Sequence, residues 1–327
     1  MAKQGRILSG MRPTGPMHLG HLAGALVNWA QLQDEYECFY MVADWHALMS
    51  EYADTSGIAG WTREMVADWI ACGLDPERSV IFVQSRVPEH AELHLVLSCL
   101  VPLPWLERCP TYKEQREQIK DKDLSTYAFL GYPNLQAADI LVYLADTVPV
   151  GEDQLPHLEL TREIARRFNS FYGEVFPEPK GKLTQVPRLL GLDRRKMSKS
   201  YGNFIALADD RAAIMAKTMT MITDPKRIRL ADPGHPEECN VCSYYNVFAP
   251  AEAAEVQDKC RNSKWGCTDC KKHLGEVLDG FLEPIRTKRT ELLNDPAALD
   301  AILERGRQRA SAVASEVMKK VHHALKF

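Results

Sequence analysis

Arg6-Ile7-Leu8-Ser9-Gly10-Met11-Arg12-Pro13-Thr14-Gly15-Pro16-Met17-His18-Leu19-Gly20-His21 runs straight into an amphipathic segment from Leu22 to Leu32. Arg6-Ile7-Leu8 has the form of a short buried strand, and Leu22, Leu26, Trp29 and Leu32 recur at helical spacing. The stretch is therefore a strand, a Gly/Pro-rich loop and the start of a helix. Such a junction gathers backbone N–H groups and the positive end of a helix dipole at one point, which suits a phosphate. His18 and His21 bracket that point. With an ordinary pKa of about 6.5 they are mostly neutral at pH 7, so they donate to phosphoryl oxygens without adding fixed charge.

Cys38 to Ala43 and Ser79 to Val83 are further apolar runs of strand length. Between them Ile58, Trp61, Met65, Trp69 and Cys72 fall on one helical face, closed by Gly73 as a C-terminal cap. Alternating strands and helices with continuous strand hydrophobicity predict a doubly wound α/β fold whose parallel sheet is covered on both faces. The loop with His18 and His21 then sits at the carboxyl edge of the first strand, where such sheets bind ligands. Pro88 to Tyr132 reads as mostly helical, with a charged stretch from Lys113 to Asp123. Asn134–Asp146 reads as a helix, Thr147–Gly151 as a short strand, and Gln154–Tyr172 as a long helix ended by Gly173. Beyond Ser200 only helices are expected, over Asp209–Met221, Ala251–Lys259, Lys271–Leu293 and Pro296–Leu325. The last carries a narrow stripe of Leu299, Ile302, Gly306, Ala310, Val313, Val317 and Val321.

A chain of 327 residues has room for two domains, and 45% hydrophobic with 26% charged residues is an ordinary soluble composition. No apolar run reaches the length of a membrane span and the start lacks an apolar signal core, so the expected location is cytoplasmic, with no membrane partner. The net charge is −4, yet Arg188 to Gly275 holds 15 basic and 11 acidic residues. A basic segment on an acidic protein fits a local nucleic-acid contact as well as an ordinary solvated face. Nine cysteines in such a chain do not predict a disulfide framework. Cys38, Cys72, Cys99 and Cys109 lie among apolar residues and read as core fillers.

About 175 residues after His21 comes Lys196-Met197-Ser198-Lys199-Ser200. Alone, a lysine-rich loop is more often a solvated surface. Paired in this order with the His-x-Gly-His turn, it resembles the class I aminoacyl-tRNA synthetases. Asn134-Leu135-Gln136-Ala137-Ala138-Asp139-Ile140-Leu141 with Val148-Pro149-Val150-Gly151-Glu152-Asp153-Gln154 is similar, more narrowly, to the tryptophanyl-tRNA synthetases, over nearly the whole chain. That resemblance implies a Rossmann-type catalytic domain over 1–205 with a helical insertion at about 88–132 that forms much of a homodimer contact. It also implies a helical anticodon-binding domain over 206–295, and a final helix, 296–327, that returns to the catalytic domain.

The resemblance further implies ATP with Mg2+, L-tryptophan and tRNA(Trp) as ligands. ATP would be held by Arg12, Pro13, Thr14, Gly20, His21, Gly151, Glu152, Asp153, Lys196, Met197, Ser198, Lys199 and Ser200. Thr14, His18, His21, Lys196 and Lys199 would assist the chemistry, with the two lysines on the departing pyrophosphate. Asp139, Tyr132, Gln136 and Gln154 would meet tryptophan. Asp139 in an apolar helix must be paired, and an indole N–H would serve as well as a neighbouring backbone group. Gln136 stands where many bacterial members carry methionine and some tyrosyl relatives carry glutamine, so a tyrosyl enzyme is the alternative. A small-metabolite adenylyltransferase, or a nucleic-acid-binding metalloprotein without activity, would leave part of the pattern unused.

Cys239, Cys260, Cys267 and Cys270 fall within 32 residues, enough thiols for one tetrahedral or cubane site. Their sequence neighbours, from Glu237 to Lys272, are largely polar, which favours ligands over core fillers. A subset of tryptophanyl enzymes is similar here and carries a 4Fe-4S cluster; zinc is the alternative, and Cys242 could replace Cys239.

Overall fold

Five parallel strands, β1 (Arg6–Met11), β2 (Glu37–Val42), β3 (Ser79–Val83), β4 (Thr147–Val150) and β5 (Lys180–Leu183), form one sheet in the order β3-β2-β1-β4-β5. The computed structural model describes residues 3–110, 112–113, 122–183 and 189–327; most of the charged stretch between Lys113 and Asp123 lies outside these. In register, Ile7 lies beside Cys38, Cys38 beside Ser79 and Val148 beside Gly181. Alternate residues enter two different cores. Ile7, Cys38, Tyr40 and Ile81 join one, while Leu8, Phe39, Val80 and Phe82 join the other. A strand that must bury both faces cannot alternate with polar residues, hence its continuous apolar run.

β5 was not legible in the sequence. Lys180-Gly181-Lys182-Leu183 is an edge strand with a largely exposed pattern, and lysines on an edge discourage further strand pairing.

The quoted loop leads into a short helix, α1 (Leu19–His21), a wider i→i+5 turn over Leu22–Leu26, and α2 (Val27–Glu35). Leu22, Leu26, Trp29 and Leu32 are all buried there. Two helices escaped the sequence reading: α3 (Asp44–Glu51) after β2, and Asn240–Phe248 in the later region. Around the sheet pack α4 (Ile58–Ala71), α5 (Glu89–Ser98), α6 (Leu103–Glu107), α7 (Tyr127–Leu141) and α8 (Leu155–Tyr172). The helix expected at Asn134–Asp146 instead starts at Tyr127 and ends at Leu141. Thr126 caps it by accepting the Phe129 N–H at 3.2 Å, and Leu144 follows in the left-handed region, which ends it. Pro133 sits inside this helix rather than before it, leaving the Phe129 carbonyl without its helical donor.

After residue 205 the described chain is helical: α9 (Arg211–Thr220), α10 (Asn240–Phe248), α11 (Pro250–Arg261), α12 (Cys267–Asn294) and α13 (Pro296–Leu325). Arg289 of α12 ties this region to α4, donating to Asp68 at 2.8 Å and pairing with Glu64. Burial pushes the Asp68 carboxyl up to about 7, although Arg289 acts in the opposite direction.

α13 lies directly on β3. At Gly306 an added Cβ would stand 1.7 Å from the Ile81 carbonyl oxygen, so only a bare backbone allows this approach. The small residues Ala310 and Ala314 continue the contact along the same buried stripe, joined by Leu303 and Met318 rather than by Ile302. We expect Gly306→Ala to cost about 1–3 kcal/mol in urea denaturation, as overpacking does. Gly280 of α12 has no atom within 4 Å of its would-be Cβ. Gly280→Ala should therefore stabilise by roughly 0.5–1 kcal/mol through helix propensity.

Candidate active site

A cavity of about 310 Å³ opens beyond the carboxyl ends of β1, β2 and β4. It lies where the strand order reverses between β1 and β4, the ordinary ligand crevice of an open parallel sheet. Its floor is apolar, with Leu8, Met41, Ile140 and Val148. Its polar wall brings together Tyr132, Gln136, Asp139 and Gln154, four residues singled out in the sequence. Arg12, His46 and His157 complete that wall.

Asp139 is 2% exposed and has three side-chain partners, not the backbone partner considered above. Its Oδ1 accepts from Gln84 Nε2 and His90 Nδ1, each at 2.7 Å, and its Oδ2 meets His46 Nε2 at 2.7 Å. His90 Nε2 in turn meets the Tyr143 hydroxyl at 2.7 Å. Tyr143 thus lies behind the cavity wall and reaches Asp139 through His90. Burial alone would raise the Asp139 pKa, but hydrogen bonds from His46 and His90 outweigh it and hold the carboxyl well below its usual range.

The phosphate corner is built by hydrogen bonds between neighbours. His18 Nδ1 accepts the Gly20 N–H and His21 Nδ1 accepts the His18 N–H, both at 3.2 Å. Each ring must then carry its proton on Nε2, which is free to donate to a ligand. Burial, with Lys199 nearby, pushes the His18 imidazole down to about 4 and His21 well below its usual range. Both are neutral at pH 7, as the sequence implied.

The lysine-rich loop closes on the same corner. The Lys199 ammonium lies 3.1 Å from the Gly15 carbonyl oxygen and 3.5 Å from the Thr14 hydroxyl. Met197 Sδ lies 3.2 Å from the Gly20 nitrogen. Gly15 has φ of +130°, which a side chain would strain, and its would-be Cβ stands 3.2 Å from Lys199 Cδ. The loop is held by Asn203, whose Oδ1 accepts the Ser198 N–H at 2.9 Å, while the Leu19 N–H donates to Ile205 at 3.0 Å. Burial and the nearby Arg12 bring the Lys199 ammonium down to about 8, against the opposing effect of Glu51.

Pro13 is buried between the strand and the turn. Lys196 begins the loop in a bridge to Leu190. Gly151 caps a short 3-10 turn over Glu152–Gln154, which precedes α8. The side chains of Asp153 and Ser200 lie outside the described part of the structure.

The five later cysteines converge. Cys239, Cys242, Cys260, Cys267 and Cys270 line one void of about 10 Å³ together with Val241, Val256 and Trp265. The setting is mixed: Arg261 pairs with Glu237 and Lys259 with Glu255, Cys239 and Cys242 are buried, and Cys260, Cys267 and Cys270 are half-buried, with Arg227 3.9 Å from Cys267 Sγ. As the side chains lie, no group of three or more residues among those described is arranged to hold a metal ion. An all-thiol donor set fits zinc or an iron–sulfur cluster. Of the four cysteines read as core fillers, Cys38 and Cys109 are buried, Cys72 is half-buried and Cys99, just past the end of α5, is exposed.

His46, Gln84 and His90 were missed. The available signal was their position: polar residues just after β2 and β3 stand at the carboxyl edge, where such sheets bind ligands. His90 gave no such signal, since it lies in the first turn of α5 and meets Asp139 only through folding.

A family model of class I tRNA synthetases for tryptophan and tyrosine matches residues 2–283. A tryptophan–tRNA ligase of Thermotoga maritima is 52% identical, over 98% of each chain. One of Ralstonia nicotianae is 43% identical, again over 98% of each. Among solved structures, a Campylobacter jejuni tryptophanyl-tRNA synthetase complexed with ADP and tryptophan superposes with a TM-score of 0.90. It is 31% identical and is matched over 98% of this chain and 100% of that one.

Proposed function

We propose a role for each part of the site in a chain that belongs to the class I tRNA synthetases and, within them, to the tryptophan–tRNA ligases. It activates L-tryptophan with ATP to tryptophanyl-AMP and pyrophosphate, and transfers the tryptophanyl group to the 3′-terminal adenosine of tRNA(Trp). The tyrosyl and small-metabolite alternatives fall away, since relatives at this identity over the whole length are tryptophan ligases.

The observation that carries the assignment of roles is the closure of Lys199 and Met197 over the Thr14–His21 turn. In activation the tryptophan carboxylate attacks the α-phosphorus, and the bond to the bridging oxygen breaks. The nucleophile is already anionic, so the site must orient the reactants and meet charge growing on the pyrophosphate. Lys199, with Lys196 from the same loop, meets that charge. Thr14 and the Nε2–H groups of His18 and His21 supply neutral donors, and Gly20 lets the phosphates approach the backbone. Mg2+ arriving with ATP would supply screening of the triphosphate charge. Arg12, Pro13, Met197, Ser198 and Ser200 shape the nucleotide site, while Gly151, Glu152 and Asp153 face the ribose. In the cavity Asp139 Oδ2 accepts the indole N–H, Tyr132 and Gln154 meet the α-ammonium, and Gln136 packs beside the ring.

The helical region over 206–295 serves as the anticodon-binding part, and the five converging thiols support a 4Fe-4S cluster there, with zinc the rival. Such a cluster would be held by Cys260, Cys267, Cys270 and either Cys239 or Cys242, and would brace the tRNA surface without joining in activation. Nine free thiols support a cytoplasmic setting. Among the described residues no helix is long and apolar enough to cross a membrane. An apolar hollow lined by Trp45, Leu48 and Tyr52 supports a homodimer.

ATP–pyrophosphate exchange across all twenty amino acids tests the assignment, and tryptophan alone should support it. Lys199→Ala should slow adenylate formation about 10²- to 10³-fold with tryptophan affinity nearly intact. Because the Lys199 pKa is lowered to about 8, its charge is lost as pH rises through that value. The kcat/KM for ATP, which reports the free enzyme, should therefore fall about tenfold per pH unit above the break. Lys199→Arg should move the break upward; an unmoved break would assign it to another group. Anaerobically purified protein should be brown with about four irons and four sulfides per chain. Cys267→Ser should bleach it and weaken tRNA charging more than exchange, whereas colourless protein with one zinc would assign the site to zinc.

A further inference from the structure

The Asp139 hydrogen bonds have a direction that is fixed by chemistry. The Trp45 N–H is shared between Asp44 Oδ1 at 3.1 Å and Gln84 Oε1 at 3.2 Å, and an ionised Asp139 can only accept, so the amide end of Gln84 that faces Asp139 is its NH₂. Asp139 is ionised and accepts only, so His90 must carry its proton on Nδ1. Its opposite nitrogen meets the Tyr143 hydroxyl, whose proton burial holds firmly on the phenol. Gln84, His90 and Tyr143 are all fully buried, and they come from three separate places in the chain.

The two oxygens of Asp139 are therefore unequal. Oδ1 receives two fixed donors, about its full capacity. Among the described residues Oδ2 receives only His46, which itself lines the cavity, and it retains one acceptor position. We propose that Gln84 and His90 are positioning residues for tryptophan selection: by filling Oδ1 they fix Oδ2 toward the cavity as the acceptor for the indole N–H. Neither residue touches substrate. The inference rests on the reading of Asp139 as the indole acceptor.

The test uses exchange kinetics with tryptophan and with β-(3-benzothienyl)alanine, whose sulfur replaces the indole N–H. The wild-type enzyme should prefer tryptophan in kcat/KM by roughly 5- to 150-fold, the range for one buried hydrogen bond. Gln84→Met and His90→Phe keep the side-chain bulk but remove the donor. Each should lower tryptophan kcat/KM about tenfold, through KM, and leave the analogue nearly unchanged, so the preference collapses. His90→Gln, which keeps a donor, should recover part of it. The two sites are read separately, so a folding failure at His90 leaves the Gln84 result decisive. Equal losses for both substrates would make the residues merely structural and overturn the proposal. Asp139→Asn separates the two levels. If it leaves the preference intact, the reading of Asp139 fails. If it abolishes the preference while Gln84→Met and His90→Phe do not, only the positioning role fails.

Discussion

An ionised carboxylate buried at the back of the cavity constrains much of this fold. Moving an isolated carboxylate out of water costs tens of kcal/mol in the idealised limit, so Asp139 persists as a charge only with donors already in place. Three are present, and they come from different elements. His46 belongs to α3, Gln84 follows β3, and His90 belongs to α5. The need to satisfy one side chain on α7 therefore fixes where three neighbouring elements end. The cavity wall has its shape because those ends cannot move apart without leaving a buried charge unpaired.

The phosphate corner uses the opposite electrostatic choice. There the protein keeps its histidines neutral through burial and spends its positive charge on the lysine-bearing loop. Hydrogen bonds through Nδ1 hold both rings within a few residues of chain, so this part is rigid and local. Lys199 is held differently, by contacts with Gly15 and Thr14 that carry no opposite charge. A partly desolvated ammonium without a carboxylate partner has a depressed pKa, and arriving phosphates restore the charge it lacks. Strong electrostatic response to the anion is thereby confined to the loop that meets the leaving group.

The cysteine region contrasts with both. Its thiols come from the start of α10, from α11 and from the first turn of α12, and they meet across a void no larger than a water molecule. The proposal that they are ligands rests on this convergence and not on their polar sequence neighbours, which form ion pairs. Separation from the Lys199 corner lies behind the proposed division between bracing the tRNA surface and activating the amino acid.

Local sequence determined what depends on local physics. Continuous apolar runs marked β1, β2 and β3 because a sheet covered on both faces leaves no polar position along a strand. The turn from Thr14 to His21 was readable because its hydrogen bonds join residues two and three apart. Gly306 stood out within an apolar stripe, but only the fold revealed Ile81 beneath it. β5 stayed hidden because an edge strand may be polar, and its pairing with β4 is a long-range event. The partners of Asp139 were hidden for the same reason: His46, Gln84 and His90 lie 93, 55 and 49 residues away from it in the chain. A carboxylate in an apolar helix announces that it needs donors. Which donors answer, and which oxygen is left for a ligand, is decided only when the sheet brings the carboxyl ends of its strands together.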